Sequence, residues 1–265
     1  KLSRFLQDIC HREDPTRPVT QGMDAPDAVV NNNMAAVMDV AGFNYRPHKY
    51  RTNYKKLPQQ IILGSETAST VSSRGVYKLP VARRSMQKYP DHQASSYDVE
   101  HCGWSNLPED DFIQHEDLPY CIGEFVWTGF DYLGEPTPYG WPARSSYFGI
   151  VDLAGFPKDV YYLYQSEWHP EKKVLHLFPH WNWTPGQDID MWAYYNNADE
   201  VELFVNGESQ GVRTKGKDDF HVVWRVKYEP GVVKVVSRKD GKTVLEKEIH
   251  TAGEPAQIRL TADRN

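Results

Sequence analysis

The spacing of apolar residues changes near residue 172, and this change constrains the fold more than any other feature of the chain. Before it, short apolar runs alternate with stretches of helical period, the pattern of parallel strands joined by helices. After it, short and partly alternating runs follow one another, as in an antiparallel sheet. The sequence therefore predicts an α/β domain over 1–169, an all-β domain over 170–253, and a further segment or linker beginning at 254–265.

The first domain is predicted to alternate helices and strands. Apolar residues at helical spacing predict a helix over 2–12, and Pro157 at a first-turn position predicts another over 157–168. A further helix is expected over 50–54, and the long region 67–119 is expected to be a functional loop or to carry short helices of its own. The predicted strands are Val19–Met23, Val40–Tyr45, Ile61–Ser65 and a buried strand beginning at Tyr120 and ending in Trp127 and Asp131.

The second domain is predicted to be a β-sandwich of the immunoglobulin type without its disulfide. Asn206-Gly207 and Asp240-Gly241 separate apolar runs, and such pairs favour two-residue hairpin turns because both central residues need positive φ. Ala256–Leu260 is expected to begin one more strand. The predicted strands of the sandwich are Val174–Phe178, Ile189–Tyr194, Val201–Val205, His221–Val226 and Val232–Val236.

Composition excludes several classes of partner. A formal net charge of −6 argues against nucleic acid, because binding to phosphates depends on Lys and Arg. No apolar run approaches the ~20 residues that a membrane-spanning helix needs. The 8 Trp and 16 Tyr suit either a surface that stacks on sugar rings or a core rich in large rings.

Cysteine and histidine give no sign of a cross-link, a metal or a cofactor. Cys10, Cys102 and Cys121 form no Cys-x-x-Cys pair, so they are interpreted as buried thiols. The histidines are scattered, and the group around His101 lacks a second His at ligand spacing. We therefore expect no metal and no cofactor.

Glu66 is the first candidate for chemistry. It follows the apolar run that starts at Ile61, which is too short for a typical helix and is followed by a polar loop. This places a carboxylate at the carboxyl end of a parallel strand, where the catalytic groups of α/β folds collect. The alternative is a structural Glu that caps the strand or pairs with an arginine.

Taken in order, six motifs resemble glycoside hydrolase family 2, and most closely its bacterial β-galactosidase branch. The resemblance covers nearly all 265 residues. It implies the second half of a (β/α)8 TIM barrel, strands five to eight, followed by an immunoglobulin-like sandwich. The motifs are Asp14–Pro18, Phe43–Tyr45, Ile62–Glu66, Gly123–Trp127 with Asp131, Phe148–Asp152 and His180–Trp183.

The resemblance also implies roles for single residues. Glu66 matches the nucleophile that ends the seventh barrel strand, and Tyr45 matches a tyrosine that hydrogen-bonds it. Trp127 matches an aromatic residue beside the bound sugar, and Asp131 a ligand of a sugar hydroxyl group. For Tyr45 and Trp127 the alternative is packing alone. Glu124 is interpreted as a structural acid of the inner barrel, because it lies well below the rim of its strand.

The family's acid/base is the Glu of an Asn-Glu pair that ends the fourth strand, and the chain contains no Asn-Glu pair. If the resemblance holds, the chain begins in the helix after that strand and needs the missing half of the barrel, in cis or in trans. The chain alone is then expected to be inactive. The alternative function is a non-catalytic carbohydrate-binding or assembly module.

The expected substrate is a β-galactoside or a related glycan. Family β-glucuronidases carry an Asn-x-Lys reader of the sugar carboxylate between the eighth strand and the Phe148–Asp152 motif, and residues 132–147 contain neither Asn nor Lys. Mannosides and plant-glycan linkages stay open. Enzymes of this type often work outside the cytoplasm, which favours a periplasmic or secreted location.

Overall fold

The computed structural model describes residues 2–264, and the chain divides into two compact units with the boundary between His169 and Pro170. No helix among these residues is both long and apolar enough to cross a bilayer. The helices, all in the first unit, are α1 (Leu2–Glu13), α2 (Pro26–Asn31), α3 (Tyr50–Tyr54), α4 (Pro108–Asp117) and α5 (Asp159–Trp168). Its strands are β1 (Thr20–Met23), β2 (Val40–Asn44), β3 (Ile62–Ala68), β4 (Arg84–Ser85), β5 (Glu100–His101) and β6 (Cys121–Trp127).

The first unit is built on a parallel sheet in the order β1-β2-β3-β6, which confirms the predicted α/β architecture. Its strands approach closely at Gly42, where an added Cβ would lie 2.6 Å from the Thr20 hydroxyl and 2.9 Å from that of Ser65. Phe43 and Ile62 of the two central strands are fully buried in one apolar cluster with Tyr50 of α3. All four strands run in the same direction, so their carboxyl ends share one edge of the sheet.

Strand β6 differs from its prediction. It ends at Trp127, and Asp131 lies four residues beyond it. It is also not buried: the exposed fractions of Ile122 and Phe125 are 55% and 66%. Because β6 is the last strand of the sheet, one side of it has no neighbour among the described residues, which an apolar run alone does not reveal.

The region 67–119 is ordered by elements that the sequence did not individually predict. The short strands β4 and β5 pair in parallel, and α4 contacts β3 and β6. A second apolar cluster joins Val71 and Cys102 to Phe148. The region is therefore a packed structure beside the carboxyl ends of the strands.

The second unit is a sandwich of two antiparallel sheets, which confirms the all-β prediction. One sheet has the order β10-β9-β12-β13 and the other β11-β8-β7. Burial alternates along β9 and β11, so one face of each sheet forms the core. The strands are β7 (Leu175–Phe178), β8 (Asp188–Tyr195), β9 (Glu200–Val205), β10 (Glu208–Arg213), β11 (Val222–Lys227), β12 (Val232–Lys239) and β13 (Lys242–His250).

Both predicted hairpins of the sandwich are present. Asn206 and Gly207 have φ of 49° and 87°, and Asp240 and Gly241 have 50° and 71°, as two-residue hairpin turns require. The further strand expected at Ala256–Leu260 is wrong. Those residues form no strand and are exposed, so their apolar side chains have no partner sheet within 2–264.

All three cysteines are free thiols. Cys102 is buried, as predicted, and Cys121 is partly buried; burial raises the pKa of both thiols to about 12. The prediction is wrong for Cys10, which is exposed on α1.

Candidate active site

Glu66 and Tyr45 meet at the carboxyl ends of β2 and β3. The Tyr45 hydroxyl donates a hydrogen bond to Glu66 Oε2 at 3.2 Å and lies 2.8 Å from the hydroxyl oxygen of Ser69. The Tyr45 backbone N–H also donates to the Glu66 carbonyl at 2.7 Å. Tyr45 therefore binds Glu66 through both its side chain and its backbone. These two hydrogen bonds hold the Glu66 carboxylate in place against the end of the neighbouring strand β2.

The Tyr45 hydroxyl stays protonated at any ordinary pH. Its side chain is buried, and burial raises the pKa of Tyr45 strongly, with a further contribution from the charge of Glu66. It therefore acts toward the carboxylate as a hydrogen-bond donor.

The backbone around this contact is strained. Tyr45 and Arg46 after β2 have φ of 56° and 60°, and Ala68 and Ser69 at the end of β3 have 57° and 59°. Left-handed conformations are uncommon for residues other than glycine, and such strain collects at functional sites. Four such residues at adjacent strand ends mark this edge of the sheet as a candidate site.

Glu66 lines a cavity of about 250 Å³ at this edge. Trp127, at the end of β6, forms part of its wall and is 36% exposed. Two of the lining residues contact Arg46, whose guanidinium donates to the Trp104 carbonyl and lies 3.2 Å from Asp24 Oδ1. The cavity is lined by Asp24, Asn44, Tyr45, Glu66, Ser69, Trp104, Trp127 and Glu135.

A chain of hydrogen bonds extends from Trp127 along the cavity. The indole N–H of Trp127 donates to the Tyr132 hydroxyl at 3.1 Å, and that hydroxyl donates to Glu135 Oε2. The two rings meet edge to face with centroids 6.0 Å apart. Partial burial, the bond to Glu135 and the nearby charges of Glu135 and Glu66 raise the pKa of Tyr132 to about 12.

Asp131 does not line this cavity but a separate one, so its predicted contact with a sugar hydroxyl group stays a prediction. Its carboxylate is 2.8 Å from Lys158 Nζ and accepts the Gly149 N–H at 2.8 Å. Lys158 is itself buried and also donates to the carbonyls of Ser72 and Tyr147. Asp131 therefore holds a buried lysine and the Gly149 backbone, a structural role that its position after β6 did not reveal.

The side chain of Glu124 is buried, but the predicted position on the inner side of a barrel is wrong. It faces α4 rather than the inner side of a barrel: it accepts a hydrogen bond from Thr67 at 2.6 Å and lies 3.4 Å from His115 Nδ1. Burial raises the pKa of Glu124 to about 7 and lowers that of His115 to about 4, so the histidine is neutral near pH 7. The contact is therefore not an ion pair under those conditions.

Sequence reasoning missed five residues of the cavity: Asp24, Asn44, Ser69, Trp104 and Glu135. Asn44 ends β2, and the others lie in segments that follow β1, β3 or β6, at the carboxyl edge of the sheet. The rule that these segments build the site in parallel α/β folds was the available signal. No group of three or more His, Cys, Asp or Glu residues within the described range is placed to hold a metal ion.

Comparison with known proteins decides the family. The chain is 56% identical, over its whole length, to the β-galactosidase BoGH2A of Bacteroides ovatus, and it spans 32% of that protein. It is similar to the crystal structure of a glycosyl hydrolase family 2 member from Bacteroides cellulosilyticus, with 27% identity and a TM-score of 0.73 over 99% of this chain and 34% of that one. The chain belongs to glycoside hydrolase family 2.

Other similarities agree with this family 2 assignment. The structure of a β-glycosidase from Bacteroides vulgatus matches 99% of the chain at 30% identity with a TM-score of 0.84, and the match covers 36% of that protein. More distant relatives are named β-glucuronidases. Residues 186–245 of the sandwich match a family described as a domain of unknown function, DUF4982. The chain spans about a third of the length of the relative and of the two structures described here.

Proposed function

We propose that this chain is the nucleophile-bearing part of a longer retaining glycoside hydrolase that acts on β-linked sugars, most specifically β-galactosides. The observation that carries the proposal is the position of the Glu66 carboxylate. It accepts a hydrogen bond from Tyr45 near the carboxyl end of β3 and lines a cavity together with Trp127 and Trp104. Membership of family 2 supports the reaction class, and the name of the Bacteroides ovatus relative supports a β-galactoside as the substrate.

In the proposed reaction, a carboxylate oxygen of Glu66 forms a bond to the anomeric carbon while the bond from that carbon to the leaving oxygen breaks. The Tyr45 hydroxyl orients the attacking carboxylate. Trp127 offers an aromatic face to the apolar side of the sugar ring. In the second step a second carboxyl group takes a proton from a water molecule, which attacks the same carbon while the bond to Glu66 breaks, so the sugar leaves with its original anomeric configuration.

A second carboxyl group must protonate the leaving oxygen, and we place it outside residues 1–265. Neither acid that the sequence offers beside β6 is suitable: Asp131 is held by Lys158, and Glu124 is buried against α4. In the proposed enzyme, the missing acid/base ends a strand of the other half of the barrel. The described sheet then provides strands five to eight.

Apolar residues are exposed at both ends of the first unit, which supports the proposal that the other half of a barrel covers them. Leu2 and Phe5 of α1 are 69% and 60% exposed, and Phe125 of the edge strand β6 is similarly uncovered. Native proteins rarely leave a long apolar sheet edge open, because it templates aggregation. In the proposed barrel, the other four strands and their helices cover these residues.

Replacement of Glu66 by Gln in the full-length enzyme tests the assignment. The amide keeps the shape of the side chain but cannot act as a nucleophile, so turnover of aryl β-galactosides should fall at least about a hundredfold. Glu116→Gln, an exposed position on α4, is the matched control and should keep full activity. Retention of more than about a tenth of parental activity by Glu66→Gln contradicts the assignment and favours a non-catalytic, carbohydrate-binding role.

A further inference from the structure

A second carboxylate, that of Glu135, lines the same cavity as Glu66, and the roles proposed so far do not use it. It lies in the segment that follows β6, eight residues after Trp127. Tyr132 donates to one of its oxygens and in turn accepts the indole N–H of Trp127. Glu135 is thus joined through two hydrogen bonds to the aromatic wall.

The backbone holds Glu135 in an unusual conformation. Its φ is 42°, and Gly134 before it has φ of 101°. The Gly134 N–H donates to the Arg144 carbonyl at 2.7 Å, and Leu133 forms a β-bridge with Ser145. A non-glycine residue kept in the left-handed region by its surroundings is typical of functional sites.

The charge of the cavity favours neutral sugars. Three carboxylates line it, those of Asp24, Glu66 and Glu135, and within the described range 2–264 no Lys, Arg or His is among the lining residues. The nearby Arg46 is engaged by Asp24 and by the Trp104 carbonyl. The Glu135 carboxylate accepts a hydrogen bond from Tyr132 at one oxygen; it can accept further hydrogen bonds from sugar hydroxyl groups, and its charge repels another carboxylate.

We propose that Glu135 binds a hydroxyl group of the sugar held beside Glu66 and makes the site selective for neutral sugars over uronic acids. Trp127 contacts the sugar ring. Glu135, oriented by Tyr132, accepts a hydrogen bond from a hydroxyl group at the edge of that ring. This inference rests on the proposed glycosidase function and names a specificity determinant of the same cavity.

The test compares Glu135→Gln with the parent in the full-length enzyme. The readouts are KM and kcat for 4-nitrophenyl β-D-galactoside, and inhibition constants for D-galactose and D-galacturonate, which differ only at the C6 carboxylate. Loss of a charged acceptor should raise KM by about ten- to a hundredfold while kcat changes less than about threefold. The preference for galactose over galacturonate should fall at least about tenfold. Glu116→Gln should leave every value unchanged, and an unchanged melting temperature shows that Glu135→Gln is folded.

Three outcomes decide the proposal. An unchanged KM together with an unchanged galactose preference overturns it. Activity lost with 4-methylumbelliferyl galactoside but kept with the more activated 2,4-dinitrophenyl galactoside also overturns it, because that pattern identifies Glu135 as the general acid. The expected pattern, with an intermediate effect of Tyr132→Phe, supports it. Failure of the proposed function is separate, since it would appear as no turnover of aryl β-galactosides by the parent or as activity retained in Glu66→Gln, whatever Glu135→Gln does.

Discussion

The hydroxyl group of Tyr45 is the best-defined contact that the Glu66 carboxylate makes. It donates at 3.2 Å from a buried ring, and the Ser69 hydroxyl 2.8 Å away fixes its direction. A hydrogen bond to an ionised group contributes more than one between neutral groups, because the charge strengthens the attraction. Tyr45 is thus suited to orient the carboxylate without changing its charge.

Tyr45→Phe should lower the kcat/KM for aryl β-galactosides in the full-length enzyme about ten- to a hundredfold. The ring still packs, but a charge-assisted hydrogen bond of roughly 1.5 to 3 kcal/mol is lost. Tyr54→Phe is the control, because Tyr54 stacks on Tyr120 away from the cavity. Equal rates for Tyr45→Phe and the parent would mean that Tyr45 is only packed.

Glu124 should make stability fall as pH rises. Its pKa in the folded protein is raised by burial to about 7 from an ordinary value of 4.5, so folding favours the protonated acid. This contribution is fully present below pH 4.5 and is lost as the pH passes through 7. Burial lowers the pKa of His115 from 6.5 to about 4, so the contribution of this histidine makes the protein more stable as the pH rises from about 4 to 6.5.

Glu124→Gln separates these two effects, because the amide mimics the protonated acid at every pH. As the pH rises from roughly 4 to 8, the free energy of unfolding of the variant should increase relative to that of the parent by up to about 3 kcal/mol. The measurement is the urea midpoint of unfolding, followed by tryptophan fluorescence. A stability difference that does not change with pH contradicts the raised pKa, and Glu116→Gln shows the behaviour of an exposed acid.

Among the elements, α4 supports the end of strand β3. The buried carboxylate of Asp111 accepts the Ala68 N–H at 3.0 Å and the Asn106 amide at 2.7 Å. Ala68 lies between Glu66 and the strained Ser69, whose hydroxyl meets Tyr45. The helix therefore helps to hold the backbone that presents the candidate nucleophile.

The turn after β6 depends on glycine at position 149. A Cβ there would lie 2.0 Å from the Asp131 nitrogen and 2.5 Å from the Val151 carbonyl oxygen, so the backbone would have to move. Gly149→Ala should destabilise the protein by at least about 2 kcal/mol, measured as a lower midpoint of urea unfolding. Gly129→Ala is the matched control, since nothing lies within 4 Å of its added Cβ. Similar midpoints for both variants would show that the turn adjusts freely.

At the scale of the whole molecule, the chain provides one wall of the proposed active site. The isolated 265-residue chain should therefore not hydrolyse even 2,4-dinitrophenyl β-galactoside, whose leaving group needs little protonation, because the other wall is needed to position the sugar. Less activated galactosides should also lose general acid catalysis, which is worth about 10² to 10⁴ in rate. Adding a separately expressed fragment with the first four barrel strands should restore turnover. Hydrolysis by the chain alone that disappears in Glu66→Gln would place the second carboxyl group within this chain, with Glu135 the first to test.

The order and type of the main elements follow from patterns that are local to the chain. Glycine after Asn206 and Asp240 dictated the hairpin turns, and the apolar run at Ile62 dictated a central strand, because these signals depend on neighbours along the chain. These patterns also brought Glu66 and Tyr45 to one edge, since the carboxyl ends of parallel strands meet.

Which polar residues share the cavity depends on contacts between residues that are distant in sequence. Glu135 reaches it because the bend at Gly134 and the bonds to Arg144 and Ser145 hold its loop, and no local pattern encodes those contacts. Asp131 turns away to Lys158, a partner 27 positions along the chain, and Glu124 faces α4. Burial and partners of a side chain depend on residues distant in sequence, and these contacts separate a structural carboxylate from one that faces a ligand.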